Sequence, residues 1–542
     1  MTLFKGRKRW SRFLLSLSAV LTASLLFAAS FPNILVSQGI PLLAWIAYIP
    51  LFWLLYQVSL GASVFWGGLY GYAAYGLFNY WLSVFHPLAG LIVGLIYLVF
   101  FAVLFPLLKT ALLLFPRRGY LVQWLIWIAY EYLRTQGFLG YPYGITGYSQ
   151  WTLLPVIQIA NIFGVWGVSA LVIFPSVYMA AALKGVLSYK ALKGTPDDFF
   201  RREPAAPIIW FIALAVALGY GFISPVDYTE VPAARIALVQ HNTDPWRGDM
   251  EDYRQNFRVL KRLSQEALAG EPKPDLVVWS ETAFVPRIYW HETYRDDQES
   301  YALVKELMDY LKAQEVPFVI GNDDARREVN SNGQWERVDY NAVMLFNRGE
   351  IAGLYRKLHL VPFTEHFPYE KQLPWVYNAL KNADTHFWKK GKEATVFSIN
   401  GLKFSSPICF EDTFGYLSRE FVKNGAEFIV NLSNDAWSKS LPAQMQHLSM
   451  AVFRAVENRC SMVRSTASGQ TCGIDPNGKI LAMAEPFVET QLTVEIPLVK
   501  PDSLYAKYGD FFARICTAAA VIILIVGTGG HIIKKMLKGR KQ

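Results

Sequence analysis

Long apolar stretches dominate roughly the first 225 positions of the chain. After them hydrophobic and polar residues alternate on the short periods of a water-facing domain, until one last apolar stretch near the end. A hydrocarbon core of ~30 Å is crossed by about 20 helical residues. Stretches of that order predict spanning helices at roughly 13–30, 34–57, 63–84, 88–115, 121–137, 155–183 and 207–224, with an eighth at 513–533. The region between predicts layered α/β structure. Its strand-like runs are 234–240, 276–280, 317–321, 342–346, 351–355, 402–408, 427–432 and 461–465, and its helical patterns lie near 249–268, 299–314, 414–424 and 442–459. Asp475-Pro-Asn-Gly478 reads as a hairpin turn. The chain therefore divides into a membrane region at 1–225, one large domain at 226–505, and a last span with a basic tail at 506–542.

The charges orient this arrangement. Lys5, Arg7, Lys8, Arg9 and Arg12 precede the first span, and Arg117 and Arg118 follow the fourth. Lys184, Lys190, Lys193, Arg201 and Arg202 follow the sixth, and Lys534, Lys535, Lys538, Arg540 and Lys541 follow the eighth. Excess Lys and Arg marks the cytoplasmic side. The opposite loops, near 31–33, 85–87 and 138–154, have no Lys or Arg between their spans. Seven spans then put 226–505 outside, which is the periplasm of a two-membrane bacterium. The segment 13–27 followed by Ala28-Ala29-Ser30 also fits a cleaved signal peptide. Cleavage would remove one span and leave every later segment on the same side.

Composition strengthens the membrane reading. Of 542 residues 53% are hydrophobic and only 18% charged, against about a quarter charged in soluble domains. Mean hydropathy is +0.22. The net charge of +9 would suit nucleic acid, but much of it sits in the flanking runs, so no nucleic-acid partner is expected. Cys409, Cys460, Cys472 and Cys516 are too few for a disulfide scaffold and lack CxxC spacing. Cys460 and Cys472 either pair or stay as two buried thiols. Lys389, Lys390 and Lys392 form a solvated run or a headgroup contact.

Two membrane features exceed bulk hydrophobicity. Glu131 and Arg134 lie three residues apart near the end of the fifth span, where unpaired charge is costly. They read as a structural ion pair or as a substrate contact. The segment Tyr141-Pro-Tyr-Gly-Ile-Thr-Gly-Tyr-Ser-Gln-Trp151 reads as an interfacial aromatic belt or as a lipid-facing mouth.

The chemistry lies in 226–505. Glu281 and Cys409 follow strand-like runs and Lys357 follows another between them. A thiol attacks as thiolate, and a nearby cation lowers its pKa. Lys357 can supply that cation and can stabilise an oxyanion together with a backbone N–H such as that of Phe410. Glu281 can take the thiol proton and later deprotonate a second nucleophile. Each residue alone carries little, because a Cys after an apolar strand is most often structural. His359 and His366 flank the lysine without an HExxH or cysteine cluster, so no metal site is expected.

The contexts Trp279-Ser-Glu-Thr-Ala283, Tyr355-Arg-Lys-Leu-His-Leu-Val-Pro-Phe-Thr-Glu-His366 and Cys409-Phe-Glu411 resemble the nitrilase (carbon–nitrogen hydrolase) superfamily. Over nearly the whole chain the sequence resembles its membrane-bound branch, the bacterial apolipoprotein N-acyltransferases. Val239-Gln-His-Asn242, Gly147-Tyr-Ser-Gln150, Asn431-Leu-Ser-Asn-Asp-Ala-Trp437, His447, Arg454, Glu457, Asn458 and Arg459 extend the match. The resemblance implies an αββα sandwich with a Glu281–Lys357–Cys409 triad. Glu365 would orient the lysine and Glu411 would support the site. Phe410 stands where Tyr is common, so no hydroxyl is required there, and 436–442 departs from a frequent glycine-containing version. The implied reaction needs no cofactor. Cys409 takes an acyl chain from a phospholipid, expected to be phosphatidylethanolamine, and passes it to the α-amine of an S-diacylglyceryl-cysteine apolipoprotein. A monomer in the bacterial inner membrane is expected. Two other classes remain: a membrane-anchored amidase or nitrilase using water, and a non-catalytic membrane assembly or transport protein. Seven spans exceed what an anchor needs, and the intact trio speaks against a degenerate domain.

Overall fold

The computed structural model describes residues 2–85, 88–185, 196–243, 248–329, 333–382 and 386–539. Positions 86 and 87, Lys190, Lys193, Arg540 and Lys541 lie outside them. The chain forms two compact units. One comprises Met1–Ser224, Met445–Ser449 and Tyr508–Gln542, and the other Pro225–Gln444 and Met450–Lys507.

The first unit is helical. Among the described residues five helices are long and apolar enough to cross a membrane: Trp10–Ser30, Ala89–Leu114, Val165–Ala182, Ala205–Ile223 and Phe511–Lys534. The other three expected spans are helical but fall short of that measure. At 34–57 the chain forms a 3-10 turn, Pro41–Trp45, and then a separate helix, Ile49–Gln57. Pro41 and Pro50 open the two pieces, where a missing N–H costs nothing. At 63–84 the helix Leu60–Phe78 carries five glycines and three tyrosines, which dilute its apolar character. Its Gly67 and Gly71 let it approach the backbone of Phe101 and Tyr97 on the helix Ala89–Leu114, the small-residue packing usual between helices in lipid. At 121–137 the helix Gly119–Leu133 has only 15 residues, or about 22 Å.

Glu131 and Arg134 each hold a separate part of the segment that follows. Glu131 Oε1 accepts from Thr146 N at 3.0 Å and Trp127 Nε1 at 3.3 Å. Arg134 Nη1 donates to Tyr97 OH and to the carbonyls of Tyr141 and Tyr143, at 2.6, 3.0 and 2.9 Å. Residues 142–151 are buried, so the segment is internal to the fold and not an exposed aromatic belt.

The second unit contains two six-stranded sheets. One holds β1 (Ala233–Gln240), β2 (Leu276–Trp279), β3 (Phe318–Val329), β4 (Trp335–Asn347), β5 (Glu350–Arg356) and β12 (Thr490–Pro497). The other holds β6 (Phe397–Ile399), β7 (Leu402–Ser405), β8 (Phe428–Ser433), β9 (Met462–Thr466), β10 (Cys472–Ile474) and β11 (Ile480–Met483). Their orders are β12-β1-β2-β3-β4-β5 and β11-β10-β9-β8-β7-β6. In each sheet three successive strands are parallel, β1-β2-β3 and β7-β8-β9, and antiparallel strands flank them. The middle parallel strands β2 and β8 are buried at every residue, as expected where both faces of a sheet are covered. Ser465 Oγ on β9 bonds the carbonyls of Val239 and Val278, joining the sheets. The amphipathic helices Met250–Leu268 and Gln298–Lys312 bury Leu260, Leu263, Val304 and Leu307 in one cluster with Val277 and Phe318 of the first sheet.

The expected helices of this unit lie within two residues of the observed ones. The strand expected at 402–408 ends at Ser405, leaving Ile408 in a single bridge to Leu432. The sheets also gain β6, β10, β11 and β12, and β3 and β4 continue as a charged hairpin well beyond the expected runs.

Candidate active site

Glu281 lies two residues past β2, in a turn where Thr282 takes φ +46°. The turn lies close against β3 because Gly321 has no side chain. A Cβ there would overlap Ser280 O, Thr282 N and Glu281 Cα. Glu281 is 6% exposed. Its Oε1 accepts from Asn341 Nδ2 on β4 at 2.8 Å and from Lys357 Nζ at 3.3 Å. Its Oε2 accepts from Asn434 N at 3.0 Å.

Lys357 follows β5, and its side chain is 1% exposed. Its N–H donates to Asn341 O, continuing the ladder. Its ammonium also donates to Glu365 Oε1 at 2.7 Å, and Glu365 Oε2 in turn accepts from Val361 N at 2.8 Å. Burial pulls the lysine pKa down, but Glu281 and Glu365 outweigh it, so Lys357 stays charged far above its ordinary range.

Cys409 opens the 3-10 turn Cys409–Thr413 with φ +49°, a conformation that costs a non-glycine residue on the order of 1 kcal/mol. Asn431 Nδ2 braces it through Pro407 O at 3.1 Å and Cys409 O at 3.3 Å. Cys409 is partly exposed, whereas Cys460 and Cys472 are separate buried thiols. Burial raises the Cys409 pKa, Glu281 raises it further, and Lys357 opposes both without prevailing. A thiol held up in this way needs a base to take its proton as sulfur attacks.

Glu411 joins the cysteine turn to the lysine loop. Fully buried, it accepts from Tyr355 OH, from Leu358 N and His359 N at 2.7 and 2.9 Å, and from Ile408 N at 2.8 Å. Burial pushes its carboxyl up to about 7, with the N–H donors and Lys357 pulling the other way. The Phe410 ring packs near His359 and Phe414. Burial, Lys390 and Lys357 hold His359 down at about 4, so it stays neutral.

The structure thus brings Glu281, Lys357, Cys409, Glu365 and Glu411 together. Sequence reasoning missed Asn341, Ser433 and Asp435, which also act on the glutamate or the thiol. It also missed the fully buried pair Asp412–Arg464. Ser433 and Asp435 stood inside the 431–437 motif and Asp412 directly after Glu411, but nothing local marked Asn341. Other quoted residues brace the fold. Gln240 ties the end of β1 to the carbonyls of Glu485 and Val488. Arg454 pairs with Glu457 at 3.0 Å, and Arg459 reaches Asn477. His447 groups with the helical unit. Ligand atoms of Asp323, Asp339 and His386 lie within 4.8 Å of one another, but Arg287 lies 3.8 Å and 3.0 Å from the two aspartates, so a cation already balances them.

Two family models match the chain: carbon-nitrogen hydrolase over residues 235–504, and the apolipoprotein N-acyltransferase N-terminal domain over 23–178. Apolipoprotein N-acyltransferase 1 of Treponema denticola is 44% identical over 540 residues, covering 97% of this chain and 98% of that protein. Its namesake in Treponema pallidum is 47% identical over 541 residues, covering 97% of each. The apolipoprotein N-acyltransferase of Geobacter metallireducens is 33% identical over 94% of each chain. With such identity along nearly its entire length, and a two-sheet domain carrying the Glu281, Lys357 and Cys409 cluster, the chain belongs to the apolipoprotein N-acyltransferase family.

Proposed function

We propose that the protein moves an acyl chain from a phospholipid, through a thioester on Cys409, to the N-terminal α-amine of S-diacylglyceryl-cysteine apolipoproteins. The observation that carries this reading is the placement of Lys357, held between Glu281 and Glu365 and acting on the Cys409 thiol. In the first step Glu281 takes the Cys409 proton as sulfur attacks the ester carbonyl, and the Lys357 ammonium faces the oxyanion. The intermediate collapses, the C–O bond breaks, and the proton returns to the departing lysophospholipid alkoxide. In the second step the amine attacks the thioester, Glu281 accepts its proton, and sulfur leaves to be reprotonated. Phosphatidylethanolamine is the proposed donor. The catalytic region at 226–505 is proposed to work as a monomer at the periplasmic face of the inner membrane, a side supported by the basic runs next to the spans.

Intact mass of the purified full-length protein tests the reading. Phospholipid alone should leave one acyl adduct, absent from Cys409→Ser, and an S-diacylglyceryl lipopeptide should then discharge it as N-acylated product. Discharge by water alone would make the protein a hydrolase. Absence of any adduct would remove the thioester.

A further inference from the structure

Away from Cys409, the second unit contains another buried charged cluster. Asp323 on β3 and Asp339 on β4 face Arg287, Arg337 Nε lies 3.2 Å from Asp339, and His386 Nε2 lies 3.1 Å from Asp339 Oδ2. With two guanidinium groups present its charge is balanced from within. What the cluster grips is a stretch of chain. Trp388 Nε1 donates to Asp323 Oδ1 at 3.0 Å, and Lys389 N donates to Asp339 O at 2.9 Å. The same stretch reaches the active-site loop through its backbone. Trp388 N donates to Glu365 O at 3.0 Å, and Gly391 N donates to Lys357 O at 2.8 Å. Residues 386–391 therefore form a strap, pinned to two aspartates by side chains and bonded to Glu365 and Lys357 by main chain.

This matters because the 2.7 Å contact of Lys357 with Glu365 spans a loop with no regular strand or helix of its own. Beyond the loop's own bonds, Glu365 N to Val361 O and Phe363 N to His366 O, the strap ties it from outside, and catalytic geometry tolerates little drift. We propose that Trp388, clamped by Asp323, is a positioning residue for acyl transfer that fixes the Lys357–Glu365 pair beside Cys409. The inference rests on the proposed catalytic roles of Lys357 and Glu365. Losing the indole N–H removes the strap's tie to Asp323, and the Lys357–Glu365 pair is then held less tightly. The thiol, which also feels Glu281 and Asp435, then loses part of the cationic support that Lys357 gives it.

Trp388→Phe keeps an aromatic ring and removes the donor, whereas Asp323→Asn keeps an acceptor oxygen. In purified full-length protein, two quantities are read by peptide mass: the rate of Cys409 acylation by phospholipid, and the pH midpoint of Cys409 alkylation by iodoacetamide. Trp388→Phe should acylate about ten- to a hundredfold more slowly, and its alkylation midpoint should rise by about half a pH unit or more. Asp323→Asn should stay near wild type in both. A purely structural defect lowers rate and folded fraction but leaves the midpoint alone, so an unshifted midpoint in Trp388→Phe overturns the proposal. If that variant does not fold, His386→Ala, at the exposed end of the strap, should give a smaller upward shift, and no shift overturns it equally. Wild-type protein that never acylates refutes the acyl-transfer reading instead, while the alkylation comparison still judges Trp388.

Discussion

Glu411 shows how one side chain ties local sequence to a distant loop. Two residues after the nucleophile, it receives N–H groups from both the cysteine turn and the lysine loop. Its carboxyl rises from 4.5 to about 7 because burial disfavours the charge more than its donors favour it. A raised folded-state value means the protonated form favours the fold. That stabilisation is whole below pH 4.5 and is lost as pH climbs through about 7. Glu411→Gln should flatten this part of the fall in melting temperature, and identical slopes in variant and wild type would refute the assignment. The amide also points an N–H where Ile408 or Leu358 already donates, leaving a buried donor unsatisfied at about 1–3 kcal/mol. The importance of this residue was legible in its motif, but its partners were not, because 50 or more residues separate it from the lysine loop.

At the level of elements, the catalytic groups sit at strand ends, where the ladder fixes the backbone and releases the side chain. Glu281 lies two residues past β2, Lys357 directly follows β5, and Cys409 follows β7 and the Ile408 bridge. The long apolar runs announced these strands. β6, β10 and β11, of three or four residues each, are too short to show a period and lack the longer apolar run that marked β2 and β7. β12 pairs along all of β1 across about 250 residues, which no local pattern encodes. Gly321 is the residue by which β3 sets the position of Glu281. Gly321→Ala should push the Ser280–Thr282 turn outward, lower the melting temperature, and slow acylation by the folded protein by about tenfold or more. A wild-type rate in folded Gly321→Ala would show that the close approach is not needed.

For the whole molecule, the charge pattern makes one strong demand: both termini inside and 226–505 outside. In a Cys409→Ser background, a cysteine at Asp249 should react with an impermeant thiol reagent in intact spheroplasts, and a cysteine at Gln542 should not. The reverse pattern would overturn the topology. Apolar run length, basic flanks and Glu, Lys and Cys next to strand-like runs are local properties, so the helical and α/β regions, most helices of the second unit and the candidate trio were legible in the residues alone. Other features depend on groups far apart in the chain meeting in three dimensions. Among them are where the apolar runs break into shorter helices, and that the segment 142–151 is buried over Glu131 and Arg134. Asn341 gripping Glu281 and the strap from Trp388 to Glu365 arise in the same way. So does the raised pKa of Cys409, because burial and Glu281 outweigh the lysine only once all three are packed together. Tertiary structure alone decided these, since desolvation and hydrogen-bond geometry exist only after the distant strands have met.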